Sequence, residues 1–196
     1  MNEHKFLNGQ LLVAQPKHLT GHFVKSVVLV AQHSLSGAWG IVVNRPAQTI
    51  NMQNIISAVG LEKVSLDGIV HNFESNETVY IGGPVEPTRV QVLHTLDWCT
   101  PSTFKVTDEL GITGDISTLT AISVGQGPRL YRAGVGLAVW SAGQLDGEQS
   151  GISPWTKEHQ WLTTPATVEL CLTGNREEQW QRAINHCVNN RISELF

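Results

Sequence analysis

With 196 residues, 41% of them hydrophobic and only 15% charged, the chain has the apolar share of a globular core and is excluded from the disordered class. A formal net charge of -4 and a pI near 6.0 speak against broad electrostatic attachment to nucleic acid or to an anionic membrane. The longest apolar run, residues 27–31, is far short of a membrane span.

The first residues, Met1 to Phe6, lack the basic segment and long apolar core of a signal peptide, so the chain is expected to be cytoplasmic. Residues 10–15 predict a strand stopped by Pro16. Residues 25–32, nearly all apolar and many β-branched, predict a central strand covered on both faces. Residues 33–37 supply turn chemistry and 38–43 a second buried strand, so the two should form an antiparallel hairpin. Asn44-Arg45-Pro46 ends it, because proline cannot donate to a ladder.

Met52, Ile55, Ile56 and Val59 carry the i, i+3, i+4, i+7 stripe of a short helix over 51–59, closed by Gly60. Residues 78–81 predict a strand running into Gly82-Gly83-Pro84, 89–94 a strand with one wet face, and 102–107 a further strand. Asp115 is placed to cap a helix through Ala121. Residues 131–140 form an apolar strand thinned by Gly134 and Gly136, and 167–172 predict a last strand. Asn175 with Glu178 has capping-box spacing, and the helix behind it puts Trp180, Ala183, Ile184, Cys187 and Val188 on one face. No repeat or linker divides the chain. Residues 1–196 therefore read as one α+β domain around a large mixed, largely antiparallel β-sheet with flanking helices.

Strong chemical motifs are absent. Gly125-Gln126-Gly127 opens like a dinucleotide fingerprint but lacks the third glycine, and Ser141 lacks the glycine two residues upstream that a nucleophile elbow needs, Val139 standing there instead. Cys99, Cys171 and Cys187 are too few, and odd in number, for a disulfide framework; reduced core thiols are expected. The eight histidines show no zinc spacing, so no metal, cofactor or catalytic set is assigned. His33 and His94 follow buried strands that a sheet could bring together. Asp146 and Glu148 share a face if their segment is extended and diverge if it is helical.

Four stretches together resemble the YqgE/AlgH family of bacterial proteins. They are Gly9 to Ala14 with Pro16; Phe23, Ser26 to Val28 and His33, continuing through Gly37 to Pro46; Val79 to Val85 with Val92-Leu93-His94; and Gly136, Trp140 to Glu148, Trp161-Leu162 and Pro165-Ala166. The resemblance implies an α+β domain around a large mixed sheet. It also implies an unsettled function, since members are often labelled transcriptional regulators, and it brings no cofactor or catalytic residues. No helix-turn-helix is visible here. Two features depart from the family pattern: Asp146 stands where a glutamate is usual, and the 149–160 loop is longer.

Several of these residues are polar or glycine and sit at strand ends, where loops carry binding groups. Asn44, Arg45, Gly82, Gly83, His94, Trp140, Gln144 and Glu148 are therefore expected to gather around one cleft. Arg45 would offer a fork to an anion, the Gly82-Gly83 amides would be open for want of side chains, His94 and Gln144 would give directional hydrogen bonds, and Trp39 or Trp140 a flat apolar wall. The competing reading is scaffold, with Arg45 paired to Glu148 or Asp146. The leading expectation is a non-enzymatic binding or regulatory domain for a small molecule or protein partner. The alternatives are a hydrolase or transferase using Asp146, Glu148 and His94, and direct DNA binding, which the acidic charge disfavours.

Overall fold

The computed structural model describes residues 6–17, 21, 23–154, 156 and 159–193. In chain order these form β1 (Gln10–Ala14), β2 (Val27–Ser34), β3 (Gly37–Val42), β4 (Pro46–Asn51), α1 (Met52–Ala58), β5 (Lys63–Leu66), β6 (Ile69–Asn72), β7 (Thr78–Ile81), β8 (Val85–Thr95), β9 (Phe104–Lys105) and β10 (Leu110–Thr113). There follow α2 (Ile116–Ser123), β11 (Tyr131–Ser141), α3 (Gln144–Ser150), β12 (Trp161–Pro165), α4 (Val168–Leu172) and α5 (Arg176–Ser193). One ten-stranded sheet runs β12-β1-β2-β3-β11-β8-β10-β9, with β4 and β7 joined to it as a branch, and β5 and β6 make a separate hairpin. The fold is α+β on a mixed sheet, as expected: every pairing is antiparallel except β7 with β11.

The apolar run of β2 is buried on both faces, which is why it does not alternate. Leu11, Val13, Val27 and Leu29 pack towards α4 and α5, joining Leu170, Cys171, Trp180, Ala183 and Cys187. On the opposite face Leu12, Val28 and Val30 meet Trp140, Leu145 and Trp161. A third cluster joins Met52 and Ile56 of α1 and Leu119 and Ile122 of α2 to Val79, Val92 and Ala133 of the sheet.

β11 is the pivot. Its second half pairs with β3 from Ala138 to Ser141, and its first half pairs with β8. On the edge away from β8, β7 takes over from β3 for two residues only, Gly134 with Tyr80 and Val135 with Ile81. Val42 N donates to Gly82 O at 2.8 Å, and Gly82 N donates to Val135 O at 2.8 Å, so the join between β3 and β7 is closed. The chain must then pass from β7 on one edge of β11 to β8 on the other, and it crosses β11 at Gly136 and Leu137. There is no room for a side chain at that crossing. A Cβ on Gly83 would stand 2.1 Å from Leu137 O, and one on Gly136, which has φ +80°, would stand 2.3 Å from Gly83 O.

Residues 167–172, expected as a strand, are helical. β12 already occupies the edge of β1, leaving no ladder for this segment, and the Thr167 side chain accepts from Leu170 N to start α4. The predicted strand over 102–107 is reduced to Phe104–Lys105. α5 begins as its capping box requires: Asn175 Oδ1 accepts from Glu178 N at 3.1 Å, and Glu178 Oε2 accepts from Asn175 N at 3.4 Å. Trp180, Ala183 and Cys187 lie on its buried face, while Val188 is exposed. Of the thiols, Cys171 and Cys187 are core residues and Cys99 is exposed, which corrects the expectation of three buried ones. Among the described residues no helix is long and apolar enough to cross a membrane.

Candidate functional site

The expected single cleft does not form, because strand register holds its members apart. Trp140, Gln144 and Glu148 do meet. Glu148 Oε2 accepts from Trp140 Nε1 at 3.0 Å and from Trp161 Nε1 at 2.9 Å, and Glu148 Oε1 accepts from Gln144 Nε2 at 3.0 Å. Gln144 also caps the turn into α3, its Oε1 accepting from Ser141 N and Ser141 Oγ. Because residues 144–150 are helical, Asp146 diverges from Glu148, and its carboxylate lies 3.5 Å from Nε2 of buried His33. His33 Nδ1 accepts from Leu7 N at 3.2 Å, which leaves the ring proton on Nε2, facing Asp146.

Asn44 and Arg45 sit at the other end of β3. Trp140 is level with Ala38, so Arg45, seven residues further along the chain, is roughly 20 Å away at the rise of an extended strand. Asn44, fully buried, pins the start of β2: its Oδ1 accepts from Val27 N and its Nδ2 donates to Lys25 O, both at 2.8 Å. Arg45 Nη2 donates to Ser26 Oγ at 3.3 Å, and Arg45 O accepts from Ile81 N at 2.8 Å. No ion pair joins Arg45 to Glu148 or Asp146 among the described residues. Gly82 and Gly83 lie beside Arg45 along the chain path, but they are buried in the crossing and Gly82 N is taken by Val135 O. Their lack of side chains serves close backbone approach rather than open amides.

His94 is fully buried and level with Tyr131 at the start of β11, roughly 25–30 Å along that strand from Trp140. Its Nδ1 donates to Thr95 O at 2.9 Å, its ring packs edge-on against Trp98, and its Nε2 has no partner among the described residues. A constellation of Asp146, Glu148 and His94 is thus not assembled.

The group that sequence reasoning overlooked is Arg132, the one charged residue within the apolar run 131–140, and that oddity was the available signal. It is only 9% exposed. Its Nη1 donates to Val43 O and, at 2.8 Å, to Gln179 Oε1; its Nη2 reaches Gly174 O at a long 3.4 Å; and its Cζ lies over the Tyr80 ring, 4.2 Å from the centroid. No carboxylate among the described residues pairs with it. Burial pushes its pKa down, opposed in part by Tyr80 and Cys171. A buried guanidinium whose acceptors are all neutral is an uncompensated charge.

Arg132 borders a slot of about 290 Å³ where β7 and β11 part below their two paired residues, walled also by Met52, Glu77, Tyr80, Tyr131 and Leu172. At the mouth Tyr131 Oη donates to Glu77 Oε2 at 2.5 Å. Burial first, and then that hydrogen bond and the Glu77 charge, hold the Tyr131 hydroxyl far above its ordinary pKa. Larger hollows of about 660 Å³ beside the β5–β6 hairpin and about 590 Å³ beside α2 contain no buried charged group. Among the described residues no cluster of histidine, cysteine and carboxylate side chains could hold a metal.

A mixed sheet that splits around one central strand, with helices over its faces and a polar slot at the split, defines an α+β domain of a specific build. The chain belongs to the AlgH-like family (DUF179), whose sequence profile matches residues 11–191. A UPF0301 protein of Sinorhizobium medicae is 33% identical, covering 94% of this chain and 88% of that relative. A second, from Beijerinckia indica, is 36% identical, covering 91% and 84%. The solution structure of the AlgH protein from Pseudomonas aeruginosa superposes with a TM-score of 0.73 at 28% identity, covering 95% of this chain and 92% of that one. A crystal structure of protein DIP2367 from Corynebacterium diphtheriae shares the fold with a TM-score of 0.67 at 20% identity, covering 93% and 87%.

Proposed function

We propose that this chain is a non-enzymatic binding domain with a regulatory role, and that it takes a small molecule bearing an anionic group in the slot between β7 and β11. The observation that carries the reading is Arg132, a buried cation with neutral acceptors only. Arginine presents paired donors that match a carboxylate or phosphate oxygen pair. Nη1 of Arg132 is used internally, whereas Nε donates to no described residue and Nη2 only weakly, so the Nε–Nη2 edge is the part left for a ligand. At about 290 Å³ the slot is at the small end of ligand sites. Any influence on transcription would then be indirect, consistent with the net charge of -4.

The test is titration of isotope-labelled protein with acetate, 3-methylbutanoate and inorganic phosphate, followed by amide chemical shifts and by thermal unfolding. The expected result is saturable shifts at residues 77–80 and 131–133. With ligand at a hundred times its Kd, stabilisation of about 2.7 kcal/mol raises Tm by about 5–10 °C in a chain of this size. Arg132→Lys, which keeps the charge and loses the fork, should weaken binding. Absence of saturable shifts at these residues, or equal binding by the lysine variant, would overturn the proposal.

A further inference from the structure

We infer that the occupant of this slot is a zwitterion, a small apolar α-amino acid or a close analogue, with its carboxylate on Arg132 and its ammonium on Glu77; the inference rests on the anion-binding reading above. The slot carries opposite charges on its walls. Arg132 and Tyr131 are consecutive on β11, so their side chains leave opposite faces of the strand. Arg132 goes to the side of Tyr80 and Leu172, while Tyr131 goes to that of Met52 and holds Glu77 by one oxygen, Oε2. Glu77 Oε1 accepts from no described residue and is open at the mouth.

An anion alone would bind beside an uncompensated Glu77, and like charges at such short range oppose each other. A ligand with an ammonium group removes that conflict and gives each wall a charge-assisted hydrogen bond. The dimensions agree. A sphere of the slot's volume is about 8 Å across, close to two hydrogen bonds of about 2.8 Å on either side of the ammonium-to-carboxylate span of an amino acid. Met52 and Leu172 supply apolar wall for a short side chain. Arg132 Cζ lies 4.2 Å from the centre of the Tyr80 ring, and Nε donates to no described residue.

The experiment compares leucine, 3-methylbutanoate and N-acetyl-leucine by calorimetric titration of the unsubstituted protein and of Glu77→Gln. Glu77 is exposed, so the substitution leaves the core intact. Leucine should bind about tenfold or more tighter than either compound lacking the ammonium, the worth of one charge-assisted hydrogen bond. In Glu77→Gln that preference should collapse while 3-methylbutanoate binds at least as well as before. Equal binding of leucine and 3-methylbutanoate to the unsubstituted protein would overturn the zwitterion and leave the anion site standing. A leucine preference that survives Glu77→Gln would overturn it too. No binding of any of the three would overturn both.

Discussion

Glu148 shows how much one side chain can hold in place here. Its two oxygens accept three N–H groups, two of them from the indoles of Trp140 and Trp161, which are themselves buried, Trp140 stacked with Phe23 and Trp161 edge-on to it. Truncating the acceptor would leave both indole donors without a partner in a water-poor setting, at about 1–3 kcal/mol each. Glu148→Ala should therefore lower the unfolding free energy by about 2–4 kcal/mol, read from the urea midpoint at unchanged slope. Glu148→Gln keeps one acceptor oxygen and should lose less. A change under about 0.5 kcal/mol in the alanine variant, the level of an ordinary surface substitution, would show that the indoles find other acceptors. The same residue shows what could be read in advance. Trp140, Gln144 and Glu148 lie within nine residues, so their meeting was legible. Arg45, Gly83 and His94 were separated by strand registers that a single sequence does not display.

Elements with a strong local pattern were legible and the rest were not. β2 and β3 announced themselves by dense β-branched and apolar residues, α1 by its stripe, and α2 and α5 by Asp115 and Asn175 as caps. β4 was missed because it is polar and begins with proline, and α3 because Gly147 interrupts a weak pattern; α3 is set by Gln144 spanning Ser141 and Glu148. Residues 167–172 misled because their β-branched start outweighed one threonine cap, a contest that tertiary context decided. The two helices α4 and α5 also carry a pH dependence. Burial pushes the Cys171 thiol up to about 12 and the Cys187 thiol up to about 11, from an ordinary 9.0. Both values are raised in the folded state, so the stability they confer is complete below pH 9 and falls as pH rises towards 11 and 12. Unfolding midpoints measured from pH 8 to 12 should decline across that window, and replacing both cysteines by alanine should flatten the decline. A profile unchanged by the double replacement would rule the thiols out.

At the scale of the molecule the decisive feature is the passage of residues 82–84 over β11. Gly83 and Gly136 lie where the two segments press backbone on backbone: a Cβ on Gly83 would meet the Leu137 carbonyl, and one on Gly136 the Gly83 carbonyl. Gly136→Ala adds a clash with Gly83 O and a strained positive φ, and should destabilise the fold by about 3 kcal/mol or more. Thermal unfolding would check it; a Tm within about 2 °C of the parent, about 1 kcal/mol or less for this length, would mean the crossing yields.

The position of β11 also sets a timetable for biosynthesis. Its partners β3 and β8 are complete by residue 95, yet the strand that unites them spans residues 131–141, and β1 waits still longer for residues 161–165. A chain leaving the ribosome from its N-terminus thus carries bare hydrogen-bonding edges on β3 and β8 until β11 emerges. Loops this long must close before the contacts reward them, which makes assembly slow and late. Until then those edges are open to pairing with any other strand that reaches them.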